Sequence, residues 1–203
     1  MLYFEELIKA DDFSKAVNDL GKDFMKKYGL EKVHQVGLVV PDVEKSAEKL
    51  EGQGFGPFFI ATGSPVFWKE KDETRSVSGK MGLAYHEGIE LELLEPVKGS
   101  DFYTRSLDPD GRIVVQHLGF LVKGVDDWAD KATKAGLPVW VRGQLKAWPS
   151  ITDFAYLEPL EDSGLIMEFI NWRIMGFSFS PPPKLLKTVG HLEKWTGKRS
   201  ITL

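Results

Sequence analysis

The sequence predicts an α+β fold built from two tandem βαβββ modules, and three observations lead there. Residues 35–54 align with residues 117–136 at a constant offset of 82, with six of 20 positions identical; unrelated sequence of ordinary composition would give roughly one. The identities Gly37/Gly119 and Val40/Val122 fall in strand-like runs, Val43/Val125 and Ala47/Ala129 keep helical spacing, and Lys49/Lys131 and Gly54/Gly136 align beyond them at the same offset. Each copy is then followed by strand-like runs in the same order. Self-similarity at a fixed offset marks a duplicated structural unit, and this period is too long for a solenoid.

Residues 1–30 precede the repeat and read as a helical extension. Phe4, Leu7 and Ile8, then Phe13, Val17, Leu20 and Phe24, recur at helical spacing, and Gly29 suits a C-terminal stop. Such a segment adds a packing or dimerisation element. The first module, residues 31–97, opens with a strand over 33–40. Pro41-Asp42 ends that strand and starts a helix with Val43, Ala47 and Leu50 on one face, broken by Gly52 to Pro57. Strands are predicted around 58–61, 77–85 and 89–94, the last two joined by a turn at Tyr85-His86-Glu87-Gly88.

A polar linker, residues 98–112, leads to the second module, residues 113–171. It repeats the order: a strand over 114–122, a helix bearing Val125, Trp128, Ala129 and Ala132, a stop at Gly136, and strands near 139–141, 153–157 and 165–170. The C-terminal extension, residues 172–203, loses the pattern. Its Pro181-Pro182-Pro183 precedes a short helix expected over 184–195.

Bulk properties narrow the function classes. The chain has 203 residues, a net charge of −4, 42% hydrophobic and 28% charged residues. With no basic block, a nucleic-acid footprint is not expected; Lys184, Lys187, Lys194, Lys198 and Arg199 are scattered among apolar residues and read as a solvated helix face. Cysteine is absent, which excludes thiol nucleophiles, thiolate metal sites and disulfides and fits a cytoplasmic protein. No secretory signal or membrane-spanning run is evident, so no membrane partner is expected.

Strand alternation sorts the polar residues. Gln35 shares a face with Gly37 and Val39, and His117 with Gly119 and Leu121, so the repeat equates Gln35 with His117. His34 points the other way, with Val36, Leu38 and Val40. The last strand of each copy carries a glutamate before two apolar residues, Glu92-Leu93-Leu94 and Glu168-Phe169-Ile170. Taken singly, such a glutamate is more often a solvent-facing alternation residue, and a lone strand histidine a satisfied core residue. Four positions obeying one two-fold scheme favour a joint site. Two carboxylates, an amide oxygen and an imidazole suit a borderline divalent ion: Zn²⁺, Ni²⁺, Co²⁺ or Mn²⁺.

At these residues the chain resembles the vicinal oxygen chelate superfamily, which includes glyoxalase I, methylmalonyl-CoA epimerase, extradiol dioxygenases and bleomycin-resistance proteins. The resemblance rests on the strand ending Val39-Val40-Pro41-Asp42, on Glu92 to Pro96, and on Gln116-His117-Leu118-Gly119-Phe120; it covers residues 33–171. It implies the glyoxalase/bleomycin resistance/dihydroxybiphenyl dioxygenase fold, whose paired modules form one cupped mixed sheet around a metal. By resemblance the ligands fall on Gln35, Glu92, His117 and Glu168, a set similar to that of eukaryotic-type glyoxalase I. The spacing around Glu92 and the segment 99–112 look more like the epimerase branch. Two features depart from these relatives. Residues 76–85 hold no glutamate to match the epimerases' third-strand acid and offer Lys80 near that position, and the glutathione-contacting pattern of glyoxalase I is not recognisable.

The resemblance implies a metal-dependent lyase or isomerase acting by proton transfer next to a metal-bound carbonyl, with Glu168 as the preferred base and Glu92 second. The alternative is a metal-free binding protein of the same fold that sequesters a bulky apolar or aromatic ligand. An extradiol dioxygenase is disfavoured, since Gln35 substitutes poorly in an iron site of two histidines and one carboxylate. Trp68, Trp140, Trp148, Phe154 and Tyr156, with Lys80, are the expected pocket residues, and Trp172 and Phe67 lie beside the same strands. Arg75, Lys80, Arg142 and Lys146 are candidates to meet an anionic group. The expected partners are a small molecule and a second copy of the chain in a homodimer.

Overall fold

The computed structural model describes residues 1–178 together with the backbone of residues 201 and 202. The helix expected over 184–195, with its basic residues, lies outside the described residues.

The N-terminal extension is a two-residue strand, β1 (Leu2–Tyr3), and three short helices, α1 (Phe4–Leu7), α2 (Phe13–Leu20) and α3 (Lys22–Tyr28). Asp12 starts α2 by accepting a hydrogen bond from the Lys15 backbone N–H, the usual N-cap device. Gly29 ends α3 in the left-handed region, at φ 72°, and returns its N–H to the Met25 carbonyl.

The first module follows as β2 (Gln35–Val39), α4 (Val43–Gly52), β3 (Phe59–Gly63), a hairpin of β4 (Phe67–Glu70) and β5 (Glu73–Arg75), then β6 (Gly79–His86) and β7 (Ile89–Leu94). The second is β8 (Val114–Leu121), α5 (Val125–Lys134), β9 (Val139–Ala147), β10 (Ser150–Leu157) and β11 (Ile166–Ile174). Two short strands end the described chain, β12 (Phe177–Ser178) on β11 and β13 (Ile201–Thr202) on β3.

The main strands form one curled mixed sheet in the order β3-β6-β7-β2-β8-β11-β10-β9. In each module the first strand runs parallel to the last, β2 beside β7 and β8 beside β11, and the modules meet where β2 and β8 pair antiparallel. The β4–β5 hairpin leaves the first module and continues the sheet beyond β9 of the second. Sequence periodicity does not reveal it, because Phe67 to Arg75 is largely charged and lacks an alternating apolar face. β9 also runs to Ala147 and β11 to Ile174, beyond the apolar cores that announced them, since ladder pairing with β10 carries polar residues along.

Face selection follows side-chain parity. Val36, Leu38 and Val40 enter the core beneath the helices with Val43, Ala47, Leu50, Val125, Ala129 and Ala132, whereas Val39 joins the cup-side cluster around Trp68, Phe102 and Tyr156. The extension buries its apolar stripe on the modules: Phe4, Leu7, Phe13, Val17, Phe24 and Tyr28 all enter the helix-side core. The Phe24 ring sits 5.2 Å from Phe120 and 6.0 Å from Phe169. Burial of each such ring contributes about 1.5–3 kcal/mol.

Candidate metal centre

The β2–β8 junction builds the site. Gln35 lies opposite Gly119, and Gly37 opposite His117, so each copy's polar residue occupies the space left by the other copy's glycine. A Cβ on Gly37 would come within 1.8 Å of His117 Cε1, and one on Gly119 within 2.9 Å of Gln35 Oε1. The shared glycine of the repeat therefore seats the opposing side chain. Last-strand parity adds Glu92 from β7 and Glu168 from β11.

Glu92, His117 and Glu168 converge, with their ligand atoms all within 4.8 Å of one another. His117 Nε2 stands 3.3 Å from Glu92 Oε2 and 3.3 Å from Glu168 Oε2. His117 is fully buried, and the two glutamates are nearly so. Gln35 lies in the wall of the same cavity. His34 stands outside the cluster, beside the Tyr85 ring at 6.2 Å; burial, with Lys32 adding to it, pushes its imidazole down to about 4.

Two side chains not singled out from the sequence tie down the first-strand residues. Gln35 Nε2 donates to Glu90 Oε1 at 2.7 Å. On the other side His117 Nδ1 faces Gln116 Oε1 at 3.2 Å, while Gln116 Nε2 donates to the Phe102 carbonyl and to Ser106 Oγ. Those two bonds fix the Gln116 amide with its oxygen toward the imidazole, so Nδ1 is the nitrogen that donates to it and Nε2 is the one that faces the carboxylates. Gln116 reaches this place through a β-bulge. The ladder steps from Gly37↔His117 to Leu38↔Val115, which leaves Gln116 as the extra residue and turns it beside His117. Neither the bulge nor its consequence has a signature in a single sequence.

The fit to a divalent ion is testable on these atoms. Gln35 Oε1, Glu92 Oε2, His117 Nε2 and Glu168 Oε2 are all buried without a hydrogen-bond partner among the described residues. A lone pair facing two carboxylates in a dry site is repulsive, and no lysine or arginine among the described residues pairs with these glutamates. A cation removes the conflict, as does a proton held by the raised Glu168 carboxyl. With ligand bonds of about 2.1 Å, adjacent donors in a tetrahedral shell lie about 3.4 Å apart, close to the 3.3 Å found here. The donor set fits.

Among the protein groups alone, burial pushes the Glu168 carboxyl well up, and the Glu92 charge pushes it further. Burial and the Glu92 charge likewise raise Glu90 to about 7. The phenols of Tyr103 and Tyr156, 3.3 Å apart, are also raised, chiefly by burial. A divalent ion would reverse the sign for any carboxylate that it touched.

Over this cluster opens a cavity of about 240 Å³. Trp68, Lys80, Phe154 and Tyr156 line it, as does Trp172. Trp140 and Trp148 do not. Trp140 stacks edge-on against Phe102 at 5.2 Å, and Trp148 is 88% exposed in the turn between β9 and β10. Lys80 bonds to Glu44 at 2.7 Å. Arg75 pairs with Glu70 and Glu73, and Arg142 with Asp126 and Asp153. The position facing Glu168 across the ladder is Tyr156, and the one facing Glu92 is Leu83.

No curated protein matches the sequence. Among solved structures, a methylmalonyl-CoA epimerase from Mycobacterium tuberculosis is similar at 17% identity and TM-score 0.47, covering 75% of this chain and 89% of that one. A mutant 4-hydroxymandelate synthase from Streptomyces coelicolor is similar at 14% identity and TM-score 0.48, covering 81% of this chain and 55% of that one. A Streptomyces coelicolor methylmalonyl-CoA epimerase in complex with 2-nitronate-propionyl-CoA gives 16% identity and TM-score 0.43, covering 70% of this chain and 96% of that one. The family model of the glyoxalase/bleomycin resistance protein/dioxygenase superfamily matches residues 34–149. That is more than half of the chain, and the protein belongs to this superfamily.

Proposed function

We propose that the protein is a divalent-metal-dependent lyase or isomerase that moves a proton beside a carbonyl of a bulky apolar or aromatic substrate. One observation carries the reading: buried donor atoms of Gln35, Glu92, His117 and Glu168, unpartnered by the described residues, at the base of an apolar cavity. These residues would hold Zn²⁺, Ni²⁺, Co²⁺ or Mn²⁺. When bound, the ion supplies Lewis acidity toward neighbouring substrate oxygens. Glu168 takes the proton on the carboxylate oxygen that does not face the ion, since a desolvated carboxylate is a stronger base than an exposed one; Glu92 is the second candidate. Trp68, Phe154 and Trp172 exclude water and orient an apolar body.

The apolarity of the cavity wall also supports a second reading, a metal-independent protein that sequesters an apolar ligand. Titration of the purified chain with Co²⁺, Ni²⁺ or Zn²⁺, before and after chelator treatment, separates the two. The enzyme reading expects about one ion per chain and a Glu168→Gln variant that loses turnover far more than ligand binding. Uptake well below one ion per chain at saturation, with apolar-probe binding unchanged by chelator and by Glu168→Gln, would overturn it in favour of the binder.

A further inference from the structure

Resting on the metal-centre reading above, we propose that Glu90 is the positioning residue of this site. Its carboxylate holds the Gln35 amide so that Oε1, rather than the nitrogen, faces the Glu92–His117–Glu168 cluster. Gln35 and Glu90 are direct neighbours across the parallel β2–β7 ladder, and Glu90 shares its face of β7 with Glu92. Glu90 is completely buried. Its Oε1 accepts from Gln35 Nε2 at 2.7 Å. With Nε2 donating to Glu90, the amide is bound by its NH₂ end and its oxygen is turned away from that carboxylate. That oxygen is buried, unpartnered among the described residues, and seated over Gly119.

The second module shows why the acid is needed on one side only. Counting two residues back from each last-strand glutamate gives Glu90 in β7 and Ile166 in β11. The repeated scheme does not contain this acid. It appears beside the amide, whose two ends differ in chemistry and would otherwise be free to exchange; the imidazole opposite is already fixed by Gln116. A buried carboxylate with no lysine or arginine beside it is costly, and a methionine would fill the space more cheaply. What methionine cannot do is accept from the amide.

The test is a double-mutant cycle read by Co²⁺ affinity on the full chain: wild type, Glu90→Met, Gln35→Ala and the double variant. Loss of an orienting partner typically lowers metal affinity about 10–100-fold. That loss is expected for Glu90→Met beside Gln35, and it should largely vanish in the Gln35→Ala background. Glu90→Gln, whose carbonyl can accept the same bond, should keep most of the affinity. Equal losses in both backgrounds would mean that Glu90 acts through its charge or as a ligand itself, and would overturn the proposal while leaving the metal centre standing. No loss in either background would do the same. A wild-type chain that takes up no Co²⁺ removes the metal centre, and this proposal with it. Should Glu90→Met fail to fold, NMR of the wild type decides: a Gln35 side-chain amide proton protected from exchange is expected, and a freely exchanging one overturns the assignment.

Discussion

The two modules share a backbone plan and differ in how they hold their first-strand side chain. In the first, an amide on β2 is gripped by a buried carboxylate from the adjacent strand, Gln35 to Glu90. In the second, an imidazole on β8 is gripped by its own chain neighbour, His117 to Gln116, through a bulge that β2 lacks. The acids of the last strands stay paired, Glu92 with Glu168, while the residues facing them diverge into Leu83 and Tyr156. Duplication thus preserved the positions that point into the cup. Divergence went into the partners that orient them.

The glycine seats offer the most direct way to break this comparison. A Cβ at Gly37 would meet ring atoms of His117 at 1.8–2.1 Å, and the imidazole is too rigid and too buried to yield. A Cβ at Gly119 meets the flexible end of Ile170 at 2.7 Å before it reaches Gln35. Gly37→Ala should therefore cost on the order of 3 kcal/mol in urea unfolding, and Gly119→Ala about 1 kcal/mol. Co²⁺ affinity should fall further for Gly37→Ala than for Gly119→Ala. Equal losses would show that the two seats yield alike, and the asymmetry argued here would be lost.

A smaller effect sharpens the second module's half of the comparison. Gln116→Leu removes the acceptor that fixes the His117 tautomer and leaves a buried Nδ1–H unsatisfied. The expected destabilisation is about 1–3 kcal/mol, with metal affinity lowered about 10-fold. Unchanged affinity would mean that packing alone orients the ring.

Much of this arrangement was legible in the sequence because it depends on periodicity. The repeat predicts the paired modules, and parity sets Gln35 and His34 on opposite faces of the first strand. The unseen parts depend on contacts between strands far apart in the chain. Glu90 reads as one more alternating glutamate in Ile89 to Leu94, and only the β2–β7 register turns it into a neighbour of Gln35. Gln116 is displaced by a bulge, which inserts no diagnostic residue. The β4–β5 hairpin is held by β9 rather than by a pattern of its own. The pocket tryptophans show the same limit: Trp68 and Trp172 reach the cavity, whereas Trp148 sits at a hairpin tip, a distinction of strand length that composition does not encode.

The smallest expected effect concerns the N-terminal strap on the second module. β1 pairs with β8, setting Leu2 against Val115 and Tyr3 against Val114. The Tyr3 hydroxyl donates to Asp108 Oδ2 at 2.9 Å, Arg112 Nη2 donates to the same hydroxyl at 2.6 Å, and the guanidinium lies 3.7 Å from the Tyr3 ring centroid. The Arg112 hydrogen bond lowers the Asp108 carboxyl to about 2, against the opposing pull of burial and with help from Tyr3. Its unfolded value is about 3.9. As pH falls through that interval the unfolded chain takes up a proton before the folded one does. The stability that Asp108 contributes is therefore present in full above about pH 4 and drains away as pH drops toward 2. Urea unfolding of wild type and Asp108→Asn should show a gap that is constant near neutrality and narrows across that window. A gap still undiminished at the acid end would mean that Asp108 holds the strap by its shape and hydrogen bonds, with its charge contributing nothing.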